Sequence, residues 1–299
     1  MTPIQEQLVI IIRSVTCGGN LLDTFPVEDP EKLVRLAKDH NVVHFVGYAV
    51  DKGRLNIAGE KMRKAFRQQY FMATRRVIIL ENEISKIKDA FEQFHIDYVP
   101  LKGAVIRKLY PDQWMRVSGD IDILVHLDEL EKAESILVKE LNYSVTDKGS
   151  HHDHVTAPNG YHVDLHFTLT EREERAKPIL EDVWNKCYLV DGKKHEYQME
   201  DDMFYLFHMF HTATHFKLGG CGLRSVLDTW LLNHKVQFDA GKRKTLLQQA
   251  GLLRFAEEFE KLAEKWFSGI EIKGVEKTEN YIFNGGLYGG SQRIAAAQA

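Results

Sequence analysis

The sequence predicts an α+β protein in which a small mixed β-sheet with its own helices is flanked by N-terminal and C-terminal helical segments. Residues 1–95 and the chain after residue 170 carry apolar residues at the three- and four-residue spacing of amphipathic helices. Residues 96–170 instead contain short β-branched runs that alternate with helical patterns and turns. We therefore expect an N-terminal helical region at 1–95, a core at 96–170, and a C-terminal helical region at 171–299 that packs on the core.

The N-terminal region is predicted to contain two helical segments. Asp29 and Pro30 suit the N-cap and first positions of a helix, so segment 31–50 is expected to be helical. A longer helix is predicted over 58–94, where apolar side chains recur every three or four residues. Basic residues crowd the first half of that helix. A solvated face is the ordinary interpretation, and a positive wall that attracts a triphosphate is the alternative.

The core is predicted to alternate short strands with helices. The candidate strands are 96–101, 120–127, 142–147, 151–156 and 161–168. Helices are expected at 104–109 and 129–140, with Asp128 as the N-cap of the second. The tight turn Pro158-Asn159-Gly160 joins the last two strands, so these are expected to form an antiparallel hairpin.

The chain after residue 170 is again predicted to be helical. The expected helices are 203–216, 223–234, 240–250 and 252–267. A glycine-rich stretch at 284–290 lacks the Lys and Ser/Thr of a P-loop. We therefore expect a turn there and not a phosphate-binding loop.

Composition narrows the class of protein. Hydrophobic residues make up 44% of the chain and charged residues 27%, which is ordinary for a globular protein. A formal net charge of −4 argues against a general nucleic-acid binder and leaves room for a small basic cleft. Cys17, Cys187 and Cys221 are scattered without metal-ligand spacing, so we expect reduced thiols and a cytoplasmic location. No apolar run is long enough to span a bilayer, so no membrane association is expected.

Acidic residues on two predicted strands form the main candidate site. Asp120 and Asp122 are two apart in the run Gly-Asp-Ile-Asp-Ile-Leu-Val, so they point to one face of a strand and repel unless a cation lies between them. Asp164 lies between Val163 and Leu165 on the last strand of the predicted hairpin. Three carboxylates from adjacent strands would form an oxygen-lined site for Mg²⁺ or Mn²⁺. An exposed strand edge is the alternative, because Asp-x-Asp is common there.

Several short motifs accompany these acids in a fixed order. Leu101-Lys102-Gly103 follows a predicted strand, Arg116 precedes the acidic pair, and Asp164-Leu165-His166 ends the series. On these motifs, residues 96–170 resemble the large, mostly uncharacterised bacterial branch of the DNA polymerase beta-like nucleotidyltransferase superfamily. One departure is the pair Lys102-Gly103, because the superfamily usually has Gly-Gly or Gly-Ser at this turn. The gap from the turn to Asp120 is also longer than usual.

The resemblance implies a nucleotidyltransferase-like fold and a reaction. A nucleoside monophosphate would pass from an NTP, with ATP expected as the donor, to a hydroxyl acceptor, with release of pyrophosphate. Mg²⁺ or Mn²⁺ would be the cofactor, bridged by Asp120 and Asp122, and Asp164 would hold the ion that activates the acceptor hydroxyl. The acceptor stays open: a small molecule, a sugar or antibiotic-like compound, a peptide, or a protein side chain.

Residues around the turn are candidates for nucleotide binding. Lys102 and Gly103 could meet the phosphates through an ammonium and backbone N–H groups, or Lys102 could be a surface residue. Arg116 could pair with phosphate or orient the acids. Ser118 could contact phosphate or shape the turn with Gly119.

Histidines and one arginine are candidates for the acceptor side. His166 shares a strand face with Asp164 and could orient a phosphate or an acid. His211 and Arg224, on later helices, are expected near the acceptor, and Arg224 could instead pair with Asp228. His152 and His154 share a strand face, where a zinc site is conceivable and a polar strand edge is the commoner reading.

Two classes of function remain open at this point. The acidic triad favours an enzyme. The unusual Lys-Gly turn leaves room for a non-catalytic nucleotide-binding protein, or an antitoxin-like interaction protein, that retains the fold.

Overall fold

The computed structural model describes residues 1–18, 25–27, 29–170 and 175–286, and it contains α-helices together with short β-strands. The helices with their bounds are α1 Pro3–Thr16, α2 Pro30–Asp39, α3 Val43–Asp51, α4 Glu60–Gln93, α5 Lys102–Ile106, α6 Leu130–Leu141, α7 Lys177–Glu181, α8 Asp201–Lys217, α9 Gly222–Lys235, α10 Ala240–Gln249, α11 Leu253–Ala263 and α12 Glu276–Gly285. The strands are β1 Phe25–Pro26, β2 Leu55–Asn56, β3 Tyr98–Pro100, β4 Asp120–Val125, β5 Ser144–Lys148, β6 His152–Thr156, β7 His162–His166, β8 Cys187–Leu189 and β9 Tyr197–Met199. The predicted α+β class is confirmed.

The described chain separates into two units, each built from more than one stretch. The helical unit comprises 1–74, 209–236 and 252–286, and the sheet unit comprises Arg75–His208 and Gln237–Gly251. The predicted division at residues 95 and 170 stays a prediction. Of the predicted C-terminal region, 171–174 and 287–299 lie outside the described residues. The predicted turn at 284–290 starts in the last residues of α12, and its remainder from 287 is also outside them.

Most predicted helices are confirmed, and two details were wrong. Segment 31–50 is two helices, α2 and α3, because Asn41 adopts a left-handed backbone with φ 54° that ends the first helix. Asp29 caps α2 as predicted, since its carboxylate accepts a hydrogen bond from the backbone N–H of Lys32 at 3.0 Å. Asp128 does not cap α6. It lies within a 3₁₀ turn at Leu127–Glu129, and the N-cap of α6 is Glu129.

The sheet of the second unit has the strand order β3-β4-β7-β6-β5. β4 and β7 run parallel, and the other neighbouring pairs are antiparallel. The predicted hairpin is therefore confirmed as β6 and β7. Its second strand lies beside β4, so the strand that carries Asp164 is next to the strand that carries Asp120 and Asp122.

Alternation of side chains gives this sheet an apolar face and a polar face. Ile121, Ile123, Val155, Val163 and Leu165 are buried in one cluster with residues of α4 and α6. Each of these residues is one position away from a polar residue of the same strand. Burial of the apolar face thus fixes the register and turns the acids and histidines to the opposite face.

Cys17, Cys187 and Cys221 are free thiols, and burial raises the pKa of each to about 12. Within the described ranges, every helix is too short or too polar to cross a bilayer. The cytoplasmic location stays a prediction.

Candidate active site

The polar face of the sheet arranges its side chains in rows across three strands. From β4 through β7 to β6, the rows are Asp120–His162–Thr156, Asp122–Asp164–His154 and Leu124–His166–His152. The middle row therefore contains two of the predicted acids side by side. It continues into a histidine on the third strand, and the third row adds two further histidines.

Asp122 is the best-buried acid of this face. Its side chain is 4% exposed, and its Oδ1 accepts hydrogen bonds from Lys102 Nζ at 2.7 Å and His166 Nε2 at 2.9 Å. Burial alone would raise the pKa of Asp122, but the charge of Lys102 and the bond from His166 hold that pKa well below its usual range. The carboxylate is therefore ionised in the folded protein.

Lys102 supplies the positive charge at this site. Its backbone has φ 41°, in the left-handed region that few residues other than glycine adopt, at the start of α5. Burial would lower the pKa of its ammonium, and the carboxylates of Asp122, Asp120 and Asp164 raise it above its ordinary value. The ammonium is thus a cation among the acids, and it was not predicted to contact Asp122.

The turn after Lys102 packs against the loop that precedes β4. A Cβ at Gly103 would collide with Oγ of Ser118. The same Oγ lies 3.1 Å from Arg107 Nη2 and 3.3 Å from Arg116 Nη1. Gly103 therefore allows a close approach that orders the loop leading to Asp120.

Arg107 links the turn at Gly103 and the loop before β4 to helix α4. This residue was not identified from the sequence. Its side chain is 1% exposed. Its Nε donates to the carbonyl oxygen of Arg116 at 2.9 Å, and its Nη1 donates to Glu81 of α4 at 2.6 Å. Nothing in the sequence indicated that Arg107 is buried, because an arginine in a short helix is ordinarily expected at the surface. Arg116 is also buried, and it donates to the carbonyl oxygen of Val117 at 3.3 Å.

Asp164 faces two histidines of β6. His154 Nδ1 lies 2.8 Å from Asp164 Oδ1, and His152 Nε2 lies 3.9 Å from Oδ2. The two imidazoles face each other with 3.1 Å between their Nε2 atoms. Burial, reinforced by the neighbouring ring of His166, lowers the pKa of His152 to about 4, so this imidazole is neutral at pH 7.

The described residues include two groups whose ligand atoms all lie within 4.8 Å of one another. One is Asp122, Asp164 and His166, and the other is His152, His154 and Asp164. Asp120 is exposed and belongs to neither group. The donor oxygens of Asp122 and Asp164 suit a hard divalent cation. The ammonium of Lys102 already places one positive charge on Asp122. These residues therefore fit the Mg²⁺ or Mn²⁺ that the family resemblance implies.

The remaining predicted residues lie in the other unit. His211 is in α8, where its ring packs edge-on against that of His215 with 4.3 Å between centroids. Arg224 is in α9. Their place on the acceptor side stays a prediction.

A family model described as "Uncharacterised nucleotidyltransferase" matches residues 26–268. The chain is therefore a nucleotidyltransferase, an enzyme that transfers nucleoside monophosphates. It belongs to this uncharacterised nucleotidyltransferase family, and the resemblance drawn from its motifs is confirmed. No curated protein matches the sequence.

Two solved structures are similar to part of this chain. The solution structure of the antibiotic-resistance factor ANT(2'')-Ia matches with 14% identity and a TM-score of 0.44, over 60% of this chain and 95% of that one. The crystal structure of ANT(2'')-Ia in complex with adenylyl-2''-tobramycin matches with 15% identity and a TM-score of 0.43, over 58% of this chain and 97% of that one.

Proposed function

We propose that this nucleotidyltransferase uses ATP as its donor and a hydroxyl group as its acceptor, with Mg²⁺ or Mn²⁺ held by Asp120, Asp122 and Asp164. The observation that carries the proposal is the pairing of Asp122 with Asp164 on adjacent parallel strands, with an ammonium on Asp122. The ligand oxygens of Asp122 and Asp164 lie within 4.8 Å of each other, and two carboxylates this close repel unless a cation lies near both. The site is therefore built around positive charge.

The residues of this chain have separate tasks in that reaction. Asp122 stays ionised because Lys102 and His166 stabilise its charge, so it is ready to bind a cation. His166 donates Nε2–H to Asp122, which favours its role in orienting an acid over a role at the acceptor. Asp164 of β7 lies beside Asp122 of β4, and Asp120 is the first residue of β4. The bound ion would neutralise charge on the triphosphate and lower the pKa of the acceptor hydroxyl.

Lys102 is the residue that can link the cation to the nucleotide. In this structure its ammonium neutralises Asp122. The ammonium of Lys102 would no longer be needed at Asp122 if a divalent cation were held by the acids, and it could then pair with the triphosphate. Lys102 would therefore move from the acid to phosphate as metal and nucleotide bind together.

Gly103, Ser118 and Arg116 support the same turn. Gly103 and Ser118 are packed closely together at this turn, a contact that was not predicted, and a role of either residue in phosphate binding stays a prediction. A contact of Arg116 with phosphate stays a prediction, because its guanidinium here bonds to Val117 and Ser118. The phosphate contact we propose most directly is therefore that of Lys102.

The test is release of pyrophosphate and transfer of label from α-labelled ATP. Purified protein with Mg²⁺, ATP and a metabolite extract is compared with Asp122→Asn and with Asp112→Asn, an exposed acid outside the sheet. We expect transfer by the wild type and Asp112→Asn and a loss of orders of magnitude in Asp122→Asn, because an ion that stabilises developing charge is lost. Tight ATP binding with equal background in all three proteins would favour the non-catalytic alternative.

A further inference from the structure

We propose that His152 and His154, with Asp164 as the hydrogen-bond partner of His154, form a binding site for a borderline transition-metal ion such as Zn²⁺, separate from the carboxylate site at Asp122. The inference concerns metal affinity and stands whether or not the donor and acceptor proposed above are correct. Only Asp164 is common to the two groups of ligand atoms. The strand register therefore places two sites of different chemistry side by side.

The geometry of the imidazoles is that of two ligands on one ion. Their Nε2 atoms are 3.1 Å apart. Two nitrogens bound to one tetrahedral Zn²⁺, at roughly 2.0–2.1 Å each, lie about 3.3 Å apart. With an ion present, both nitrogens direct a lone pair at it.

Asp164 is placed to orient one of the two histidines. His154 Nδ1 lies 2.8 Å from Oδ1 of Asp164, so Nδ1–H can donate to the carboxylate and leave Nε2 free of its proton. Metal-bound histidines almost always donate their second N–H to such a partner. The other oxygen, Oδ2, lies 3.9 Å from His152 Nε2, so the carboxylate is next to both imidazoles and supplies negative charge near an ion bound between them.

The orientation and exposure of the histidines point the same way. Nδ1 of His152 is buried without a hydrogen-bond partner, whereas its Nε2 is the atom turned to His154 and Asp164. The side chain of His154 is 42% exposed, so an ion can reach the site from solvent. Nε2 of each ring is therefore the nitrogen that an ion entering from solvent can reach.

The donor atoms decide which ion each site prefers. Imidazole suits Zn²⁺, Co²⁺, Ni²⁺ and Cu²⁺, whereas Mg²⁺ takes oxygen ligands and keeps several waters. The carboxylate site contains the ammonium of Lys102, and the histidine site offers two imidazoles. Occupancy of the histidine site would draw on Asp164, so it would change the charge available to the neighbouring site.

Co²⁺ titration of the metal-free full chain tests the site without any measurement of activity. We expect the first equivalent of Co²⁺ to develop the intense visible bands of a low-coordinate nitrogen and oxygen site. Zn²⁺ should displace it, and excess Mg²⁺ should not. His154→Gln, at an accessible position, and the double variant His152→Ala/His154→Ala should each weaken Co²⁺ binding by about 100-fold or more, since even second-shell losses cost 10–100-fold.

Two variants serve as controls. His162 is on the same face of β7, but it lies in the row of Asp120 and bonds to Thr156. The variant His162→Ala should therefore keep the Co²⁺ bands. Asp122→Asn should keep them as well. Unchanged affinity in His154→Gln, or loss of the bands in Asp122→Asn alone, would overturn the proposal. The second result would place the ion at the carboxylate site, and neither would contradict nucleotidyl transfer.

Discussion

Replacing Lys102 by methionine removes the ammonium from Asp122 and keeps a side chain of similar length. The two charges are 2.7 Å apart. At an effective dielectric constant of about 20, two unit charges at that distance attract by about 6 kcal/mol. Desolvation of both groups offsets part of this, and loss of one partner of a buried pair costs about 3–5 kcal/mol. Because His166 still donates to Asp122, we expect a loss near the lower figure.

A divalent cation should reverse this loss, because it replaces the missing positive charge. A ligand at 100 times its dissociation constant stabilises the folded state by about 2.7 kcal/mol. Mn²⁺ should therefore restore most of the stability of Lys102→Met. It should add less to the wild type, where the ion must displace the ammonium.

The assay is urea unfolding with and without Mn²⁺, followed by circular dichroism. Lys108→Met is the matched control, since Lys108 is an exposed lysine in the 3₁₀ turn that follows α5. The free energy of unfolding of that variant should equal that of the wild type, with the same response to Mn²⁺. The reasoning is refuted if Lys102→Met gains no more from Mn²⁺ than the wild type does.

Two further changes test the acid and the turn. Asp122 has a folded pKa below its unfolded value of about 3.9, so its contribution to stability is complete above that pH and is lost as the pH falls toward the folded pKa. Asp122→Asn should therefore flatten the loss of stability below about pH 4 in acid unfolding, and an unchanged acid limb would argue against an ionised Asp122. Gly103→Ala should cost about 1–3 kcal/mol by overpacking against Ser118 Oγ. In urea unfolding, its cost should be smaller in a Ser118→Ala background, and strictly additive costs would contradict the contact.

The sheet was predictable because its strands and its hairpin are determined by patterns within short stretches of sequence. Alternation in the run from Asp120 to Val125 assigns the faces of β4, and the turn at Pro158-Asn159-Gly160 fixes the hairpin. The two wrong predictions, a single helix over 31–50 and the cap of α6, each depended on the backbone conformation of one residue. Asn41 adopts a left-handed backbone that an asparagine tolerates without requiring it, and Asp128 entered a 3₁₀ turn in place of the cap position.

The site was predictable only where strand register determines it. The neighbourhood of Asp122 and Asp164 followed from the expected hairpin. The contact between Lys102 and Asp122 spans 20 residues and depends on an unusual backbone at Lys102, which no periodicity reports. The buried bonds of Arg107 to Glu81 and to the loop before β4 likewise join segments far apart in the sequence.

The central claim is that the acids on β4 and β7 bind a divalent cation together with the nucleotide. Mn²⁺ binding measured with and without ATP, and corrected for Mn²⁺ binding to ATP in protein-free solution, tests it most directly. The account predicts tighter binding of Mn²⁺ in the presence of ATP for the wild type and for Asp112→Asn, because triphosphate oxygens complete the coordination shell. In Asp122→Asn that coupling should disappear while the circular dichroism spectrum stays that of the wild type. Wild-type coupling in Asp122→Asn would contradict the account.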